Sequence, residues 1–117
     1  MISIILVPSD GSKTAQKAAA YAVDLAKQLN ASIVALSVID DRSFTTHAVP
    51  ASETARNMTE PVDDYLRGAA EGYTGEVKNL CDQSGIAARI VIKRGHPVEE
   101  IVKEAKRSKA NLIVMGS

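Results

Sequence analysis

This chain of 117 residues has little cysteine, few aromatic residues and no net charge. It has one cysteine, Cys81, which excludes an internal disulfide framework and a metal site built from several cysteines. Aromatic residues make up 3% of the chain, so its 45% of hydrophobic residues must build a core mainly from aliphatic side chains and alanine. The 14 basic and 14 acidic residues cancel, and this lack of a basic excess argues against nucleic acid as a partner.

The sequence also predicts no targeting segment. Asp10 interrupts the opening apolar run and no basic stretch precedes that run, which is unlike a secretory signal peptide. No apolar stretch approaches the length of a membrane span, so a membrane partner is not predicted. The length fits one domain, and we expect that domain to be cytoplasmic.

The chain begins with a strand that ends at a sharp polar turn. Residues 2–7 are apolar on both faces, which is typical of a buried strand in a parallel sheet. Pro8 ends the strand because it has no N–H to donate to a central ladder. Gly11 permits a tight turn, and Asp10 or Ser12 can cap a following helix. Because ligands of open α/β sheets bind at the carboxyl ends of strands, Asp10 is a binding candidate; a purely structural role in the turn is an equal alternative.

The rest of the chain alternates helices and strands. Helical spacing of apolar residues predicts helices over residues 12–29, from about 53 to 85, and over 97–108. Pro61 either opens the main part of the second helix or kinks a longer one. Apolar runs predict further strands over residues 32–38, 88–93 and 112–115, and the charged ends of 88–93 suit a sheet edge. This alternation predicts an α/β fold with a doubly wound parallel sheet and helices on both faces.

The predicted strand order brings the carboxyl ends of strands one and four together. Right-handed crossovers give the order 3-2-1-4, with a topological switch point between strands one and four. The crevice there is expected to be lined by residues from both strand ends, namely Pro8, Ser9, Asp10, Met115, Gly116 and Ser117.

Several other residues support weaker hypotheses. Asp40 and Asp41 follow strand two, but the turn after strand one is not G-x-G-x-x-G, so no dinucleotide site is predicted and both carboxylates are expected to face water. His96 has no second histidine or carboxylate at ligand spacing, which favours a solvated turn histidine over a ligand contact. Cys81 lies on an apolar helical stripe and is predicted to be a small buried side chain. No nucleophile–base pair or carboxylate cluster predicts a catalytic residue.

Four stretches together resemble the universal stress proteins of the UspA type. They follow one another along the whole chain as residues 8–12, 37–40, 95–97 and 112–117. The resemblance implies a fold like that of the adenine-nucleotide α-hydrolases, a homodimer and, in one subgroup, binding of ATP, with Mg or Mn as the candidate accompanying ion. In that subgroup the adenine lies near positions that match Val7, Pro8 and Val38, the ribose meets Asp10, and the other side is closed by Met115, Gly116 and Ser117.

The chain departs from the family's pattern at its end. The phosphate-binding motif of the family, G-x2-G-x9-G-[ST], would begin at Gly116, and the sequence ends one residue later. We therefore expect residues 1–117 to be a single universal stress protein domain that is incomplete at its C-terminus and lacks the fifth strand. Strand four has no charge, proline or bulge to protect an edge, so we expect that either the missing part of the domain or a partner chain covers it.

Two functional hypotheses of different class follow. The first is an adenine-nucleotide-binding regulatory protein of the stress response. This hypothesis leaves open whether the protein also hydrolyses ATP slowly. The second is a dimeric interaction module of the same fold that binds no nucleotide. A weaker third is an enzyme of the wider group of adenine-nucleotide-binding α/β proteins.

Overall fold

Four parallel strands alternate with three helices in the part of the chain that the structure describes. The computed structural model describes residues 2–40 and 53–116, with side chains for 2–40 and 61–116. The elements are β1 (Ile4–Pro8), α1 (Lys13–Leu29), β2 (Ser32–Asp40), α2 (Glu53–Gln83), β3 (Ala88–Gly95), α3 (Pro97–Ser108) and β4 (Leu112–Ile113). The sheet order is β3-β2-β1-β4 and every pairing is parallel, so the predicted fold and strand order are confirmed. No helix within these described ranges is both long enough and apolar enough to cross a membrane.

The core lies on both faces of the sheet. Ile5 and Val7 of β1 point to the face that α1 and α2 cover, whereas Leu6 points to the face that α3 covers. The α1 side chains on the first face are mostly alanine, which lets this helix lie close to the strands. Burying each large aliphatic side chain contributes about 1.5–3 kcal/mol to folding, so strands that are apolar on both faces favour this layered arrangement.

Helix α1 begins and ends at the predicted capping residues. Helix α2 also includes the weaker helical pattern that precedes Pro61. The Ser12 side chain accepts a hydrogen bond from the Ala15 N–H at the start of α1, and Asn30 ends that helix in the left-handed region with φ +56°. Pro61 lies inside α2, so the structure adopts the longer of the two predicted alternatives. Because proline has no N–H, α2 lacks one backbone hydrogen bond at this position.

Pro8 explains why β4 is shorter than the predicted 112–115. On the side of β1 that faces β4, the Ile4 carbonyl accepts the Asn111 N–H at 2.9 Å and the Leu6 carbonyl accepts the Val114 N–H at 3.0 Å. The next residue on that side is Pro8, which has no N–H to continue the ladder. Pairing therefore stops at Ile113, and β1 and β4 separate at their carboxyl ends.

The same two strands are joined firmly at their amino ends. The Asn111 side-chain oxygen accepts hydrogen bonds from the Ser3 N–H at 2.8 Å, the Ser3 hydroxyl at 3.1 Å and the Ile4 N–H at 2.9 Å. At the opposite edge of the sheet, β3 extends to Gly95, two residues beyond its predicted end. Its last residue, Gly95, pairs in register with Asp40 of β2. The sheet is thus closed at one end and open between β1 and β4 at the other.

Candidate functional site

A cleft of about 370 Å³ lies at the carboxyl end of the sheet, where β1 and β4 separate. This volume falls in the range of about 300–1,000 Å³ that is typical of small-molecule sites. Its walls come from the ends of β1 and β2, the first turn of α1, the start of α3 and the segment after β4. The lining residues are Pro8, Ser9, Asp10, Ser12, Thr14, Ala15, Leu36, Val38, Asp40, Pro97, Ile101, Met115 and Gly116.

Most of the residues predicted for the site meet in this cleft. Those that line it are Pro8, Ser9, Asp10, Val38, Met115 and Gly116. Val7 does not line it, because its side chain is 0% exposed and packs in the core under α1 and α2. Ser117 lies outside the described residues. What each residue contacts in a complex stays a prediction.

The turn after β1 is held by its own hydrogen bonds. The Ser9 hydroxyl accepts the Gly11 N–H at 3.3 Å, the Asp10 carboxylate accepts the Ser12 N–H at 3.0 Å, and the Gln16 side chain donates to the Gly11 carbonyl at 3.2 Å. Hydrogen bonds from the Ser12 side chain and backbone hold the pKa of Asp10 below its usual value. The exposed Asp10 carboxylate is therefore ionised at neutral pH, and it stabilises the turn while it lines the cleft.

The first turn of α1 offers backbone N–H groups to a ligand. Ser12 accepts the N–H groups of Ala15 and Gln16, at 3.1 and 2.9 Å, whereas those of Lys13 and Thr14 meet no acceptor among the described residues. The first turn holds no acidic side chain. Free N–H groups and the helix dipole together attract anions, so this end of the cleft suits a phosphate.

Gly116 closes the cleft against the same helix turn. A Cβ atom at Gly116 would lie 2.8 Å from the Thr14 carbonyl carbon and 2.9 Å from the Ala15 nitrogen. Both atoms belong to the backbone and cannot move aside cheaply. A residue with a side chain at Gly116 would therefore push the segment after β4 away from α1 and change the shape of the cleft.

Apolar side chains also line the cleft. Pro8 ends β1 and Val38 lies two residues before the end of β2, and Ile101 of α3 and the half-exposed Met115 line the same space. A flat apolar ring can pack against such side chains, while strand ends supply backbone donors and acceptors. The cleft is thus lined by apolar side chains, by the first turn of α1 and by the Asp10 carboxylate.

Some cleft residues differ from what the sequence predicts. Asp40, expected to face water, is half-buried and lines the cleft because β2 continues two residues past Val38. Pro97 and Ile101 were predicted only as helix residues. The signal for them was available in principle, since a helix that starts just after the carboxyl end of β3 begins at the same edge of the sheet.

His96 and Cys81, the weaker candidates, do not line the cleft. His96 is exposed at the start of α3 and its side chain makes no capping hydrogen bond, as expected of a solvated turn histidine. Cys81 is 0% exposed, as predicted, and burial raises the pKa of its thiol. Asp41 lies outside the described residues. Among the residues for which the structure gives a placement, no group of three or more His, Cys, Asp or Glu side chains could hold a metal ion.

Comparison with known proteins connects this geometry to one family. A family model described as the universal stress protein family matches residues 1–117. Universal stress protein MJ0531 of Methanocaldococcus jannaschii is 31% identical over 113 residues, which are 97% of this chain and 63% of that protein. The chain thus spans less than two thirds of that relative's length. The solved structure of UspA from Lactobacillus plantarum has a TM-score of 0.79 and 26% identity, and the match covers 99% of this chain and 79% of that one.

Two further solved structures with this fold contain a nucleotide. A universal stress protein in complex with cAMP matches with a TM-score of 0.70 and 21% identity, over 97% of this chain and 75% of that one. A family protein from Arabidopsis thaliana with AMP bound matches with a TM-score of 0.66 and 20% identity, over 98% of this chain and 76% of that one. At these identities the likeness is one of fold.

Proposed function

The chain belongs to the universal stress protein family, and from this premise we propose that it is a regulatory protein of the stress response that binds an adenine nucleotide in the cleft between β1 and β4. One observation carries the proposal: an apolar slot, an ionised carboxylate and free helix N–H groups line one space of about 370 Å³. Proteins of the same fold that contain cAMP and AMP support it. The proposed role is binding, and no catalytic residue is assigned.

The cleft suggests how the nucleotide would lie. Adenine would pack against Pro8 and Val38, where the backbone at the end of β2 can donate to and accept from the ring. The ribose hydroxyls would donate to the Asp10 carboxylate, and the first phosphate would lie at the start of α1, beside Gly116. This order assigns the ring to the apolar side chains and the phosphate to the first turn of α1, both of which line the cleft.

We propose ATP as the nucleotide, in a cytoplasmic protein. Two carboxylates, Asp10 and Asp40, line the cleft, so a triphosphate needs countercharge. Mg²⁺ or Mn²⁺ would supply it while bound chiefly by phosphate oxygens and water, because such ions in nucleotide sites use only one or two protein carboxylates. The buried lone thiol of Cys81 is compatible with a reducing compartment.

Calorimetric titration of the purified protein with ATP, ADP, AMP and cAMP tests the proposal. We expect Asp10→Ala to weaken binding about tenfold or more, since a hydrogen bond to a charged group contributes about 1.5–3 kcal/mol. Asp24→Ala is the matched control, because Asp24 is exposed on α1 and does not line the cleft. If the wild-type protein binds none of the four nucleotides, the proposal fails. Unchanged affinity in a folded Asp10→Ala protein would instead place the ribose elsewhere.

A second role, as a dimeric interaction module, rests on the edge of the sheet. Among the described strands, β4 pairs only with β1, and its face beside α3 exposes 40% of Ile113 and 52% of Met115. An unprotected apolar edge recruits other chains, so we propose that two copies associate there. Sedimentation analysis should show dimers that Ile113→Lys converts to monomers. A wild-type protein that stays monomeric at high concentration would exclude this role.

A further inference from the structure

Tyr73 of α2 packs against the turn that carries Asp10. A Cβ atom at Gly11 would lie 2.2 Å from Tyr73 Cε1 and 2.4 Å from Cδ1, so the ring occupies the space that any side chain at Gly11 would need. Gly11 also has φ +80°, a conformation that favours glycine. Neither Tyr73 nor Gly11 lines the cleft, so the ring contacts the turn from outside the cleft.

The position of the Tyr73 ring is set by a buried part of α2. Ala70 and Thr74 flank it and are 2% and 0% exposed, and the Thr74 hydroxyl donates to the Ala70 carbonyl at 2.9 Å. Val77, one turn further on, belongs to the main core. The Tyr73 hydroxyl makes no hydrogen bond to any residue that the structure describes. The contact with Gly11 therefore depends on the ring itself and on its fixed place above the core.

No hydrogen bond among the described residues joins the turn to α2. The side-chain hydrogen bonds of Ser9, Asp10 and Gln16 join residues within the turn or at the start of α1. The Ser9 N–H donates to the Leu36 carbonyl of β2 at 2.8 Å. The bond to β2 fixes the first residue of the turn, whereas the bond between Asp10 and Ser12 spans Gly11 and weakens if Gly11 moves. The ring of Tyr73 restrains Gly11 from the side of α2, because close-packed groups resist displacement.

We propose that Tyr73 is a positioning residue of the nucleotide site, whose ring fixes the turn at Gly11 and thereby holds the Asp10 carboxylate in the cleft. Its effect on affinity rests on the proposed nucleotide binding, whereas its effect on the turn is present without a ligand. Removing the ring leaves a space into which Gly11 can move, and Asp10, the preceding residue, moves with it.

A double-mutant cycle between Gly11 and Tyr73 measures this coupling through nucleotide affinity. We expect Tyr73→Ala to weaken ATP binding severalfold, Tyr73→Phe to leave it unchanged and Gly11→Ala to weaken it more strongly. Because Tyr73→Ala makes room for a Cβ atom, the double variant should lose less than the two single losses combined. Tyr65→Ala is the control, since Tyr65 lies on the same helix and is 75% exposed. Losses that simply add would overturn the proposal.

A measurement without nucleotide separates this proposal from the one on function. NMR titration of the Asp10 carboxyl carbon should show its pKa rising towards the usual value in Tyr73→Ala but not in Tyr73→Phe, because the bonds from Ser12 are then less well held. Hydrogen bonds, and no neighbouring charge among the described residues, lower this pKa in the wild type. If wild type binds no nucleotide yet this shift occurs, the proposed function fails and the positioning role stands. If neither the Asp10 pKa nor the affinity changes in folded Tyr73→Ala, or in Tyr73→Leu should the alanine variant unfold, the positioning role is wrong.

Discussion

Replacing Glu104 by glutamine tests how a buried charge attaches α3 to the sheet. The Glu104 side chain is 1% exposed, although it lies on a helix that is otherwise rich in charge on its outer face. Arg107 donates two hydrogen bonds to its carboxylate, at 2.9 and 2.8 Å, and Ser108 donates another. Arg89 of β3 lies 3.8 Å away and also binds Ser108. The cluster therefore joins α3 to the edge strand of the sheet.

We expect Glu104→Gln to lower the free energy of unfolding by about 2 kcal/mol, because hydrogen bonds to charged groups contribute about 1.5–3 kcal/mol. Breaking a fully buried ion pair costs about 3–5 kcal/mol. The smaller figure applies here because Arg107 and Arg89 are 53% and 51% exposed and return to water when the carboxylate is removed. Urea titration followed by circular dichroism at pH 7 measures the difference.

The direction in which stability changes with pH follows from the lowered pKa of Glu104. Burial alone would raise the pKa of Glu104, but the hydrogen bonds from Arg107 and Ser108 and the charges of Arg107 and Arg89 outweigh it and hold this pKa below the usual 4.5. The unfolded chain thus takes up a proton at a higher pH than the folded chain does. The contribution of Glu104 is complete above about pH 4.5 and is lost as the pH falls through the lower folded pKa.

The matched control is Glu99→Gln, on the same helix. Glu99 is exposed in the first turn, where a carboxylate interacts with the helix dipole by about 0.3–1 kcal/mol. If Glu104→Gln destabilises the protein no more than this control, the buried cluster contributes nothing beyond an ordinary surface charge. A difference between wild type and Glu104→Gln that stays constant from pH 7 to pH 3 would show that ionisation of Glu104 is not its source.

Substitutions at two further positions test the cleft and the hydrogen bonds of Asn111 at the other end of the sheet. Val38→Trp should abolish ATP binding by filling the apolar slot, whereas Val38→Ala should cost little because the backbone of β2 makes the polar contacts; calorimetry showing equal binding by the tryptophan variant would place the base elsewhere. Asn111→Ala should lower the free energy of unfolding by about 1 kcal/mol, since the N–H groups of Ser3 and Ile4 exchange their acceptor for water. Asn111→Asp, which keeps the acceptor, should retain wild-type stability in urea titration, and equal loss in both variants would contradict this account.

The features that the sequence predicts well are those set by neighbouring residues. Runs of β-branched residues predict the strands, and Ser12, Asn30 and Gly85 predict where α1 begins and where α1 and α2 end. The strand order follows because connections in parallel sheets are right-handed. Once that order is known, Asp10 and Met115 must lie at the same edge of the sheet.

The features that the sequence does not predict arise from contacts between distant residues. The contact between Gly11 and Tyr73 depends on how α2 lies across the first face of the sheet, which no local period encodes. Glu104 has the sequence neighbours of a solvated helix residue, and only Arg89 and the packing of α3 reveal that it is buried. At Pro61 the sequence leaves two alternatives open, and the structure shows that α2 continues through this residue.

The hydrogen bonds between Ser3 and Asn111 join residues that are 108 positions apart in the chain. Pairing at such a separation is slow, because a long loop must close before any contact rewards it. Proteins are synthesised from the amino end, so β1 emerges first and meets β2 long before β4 exists. Until residue 113 has been made, the side of β1 that carries the Ile4 and Leu6 carbonyls remains an open sheet edge. During synthesis, therefore, β1 depends on rapid synthesis of β4, or on a chaperone, to avoid pairing with a neighbouring nascent chain.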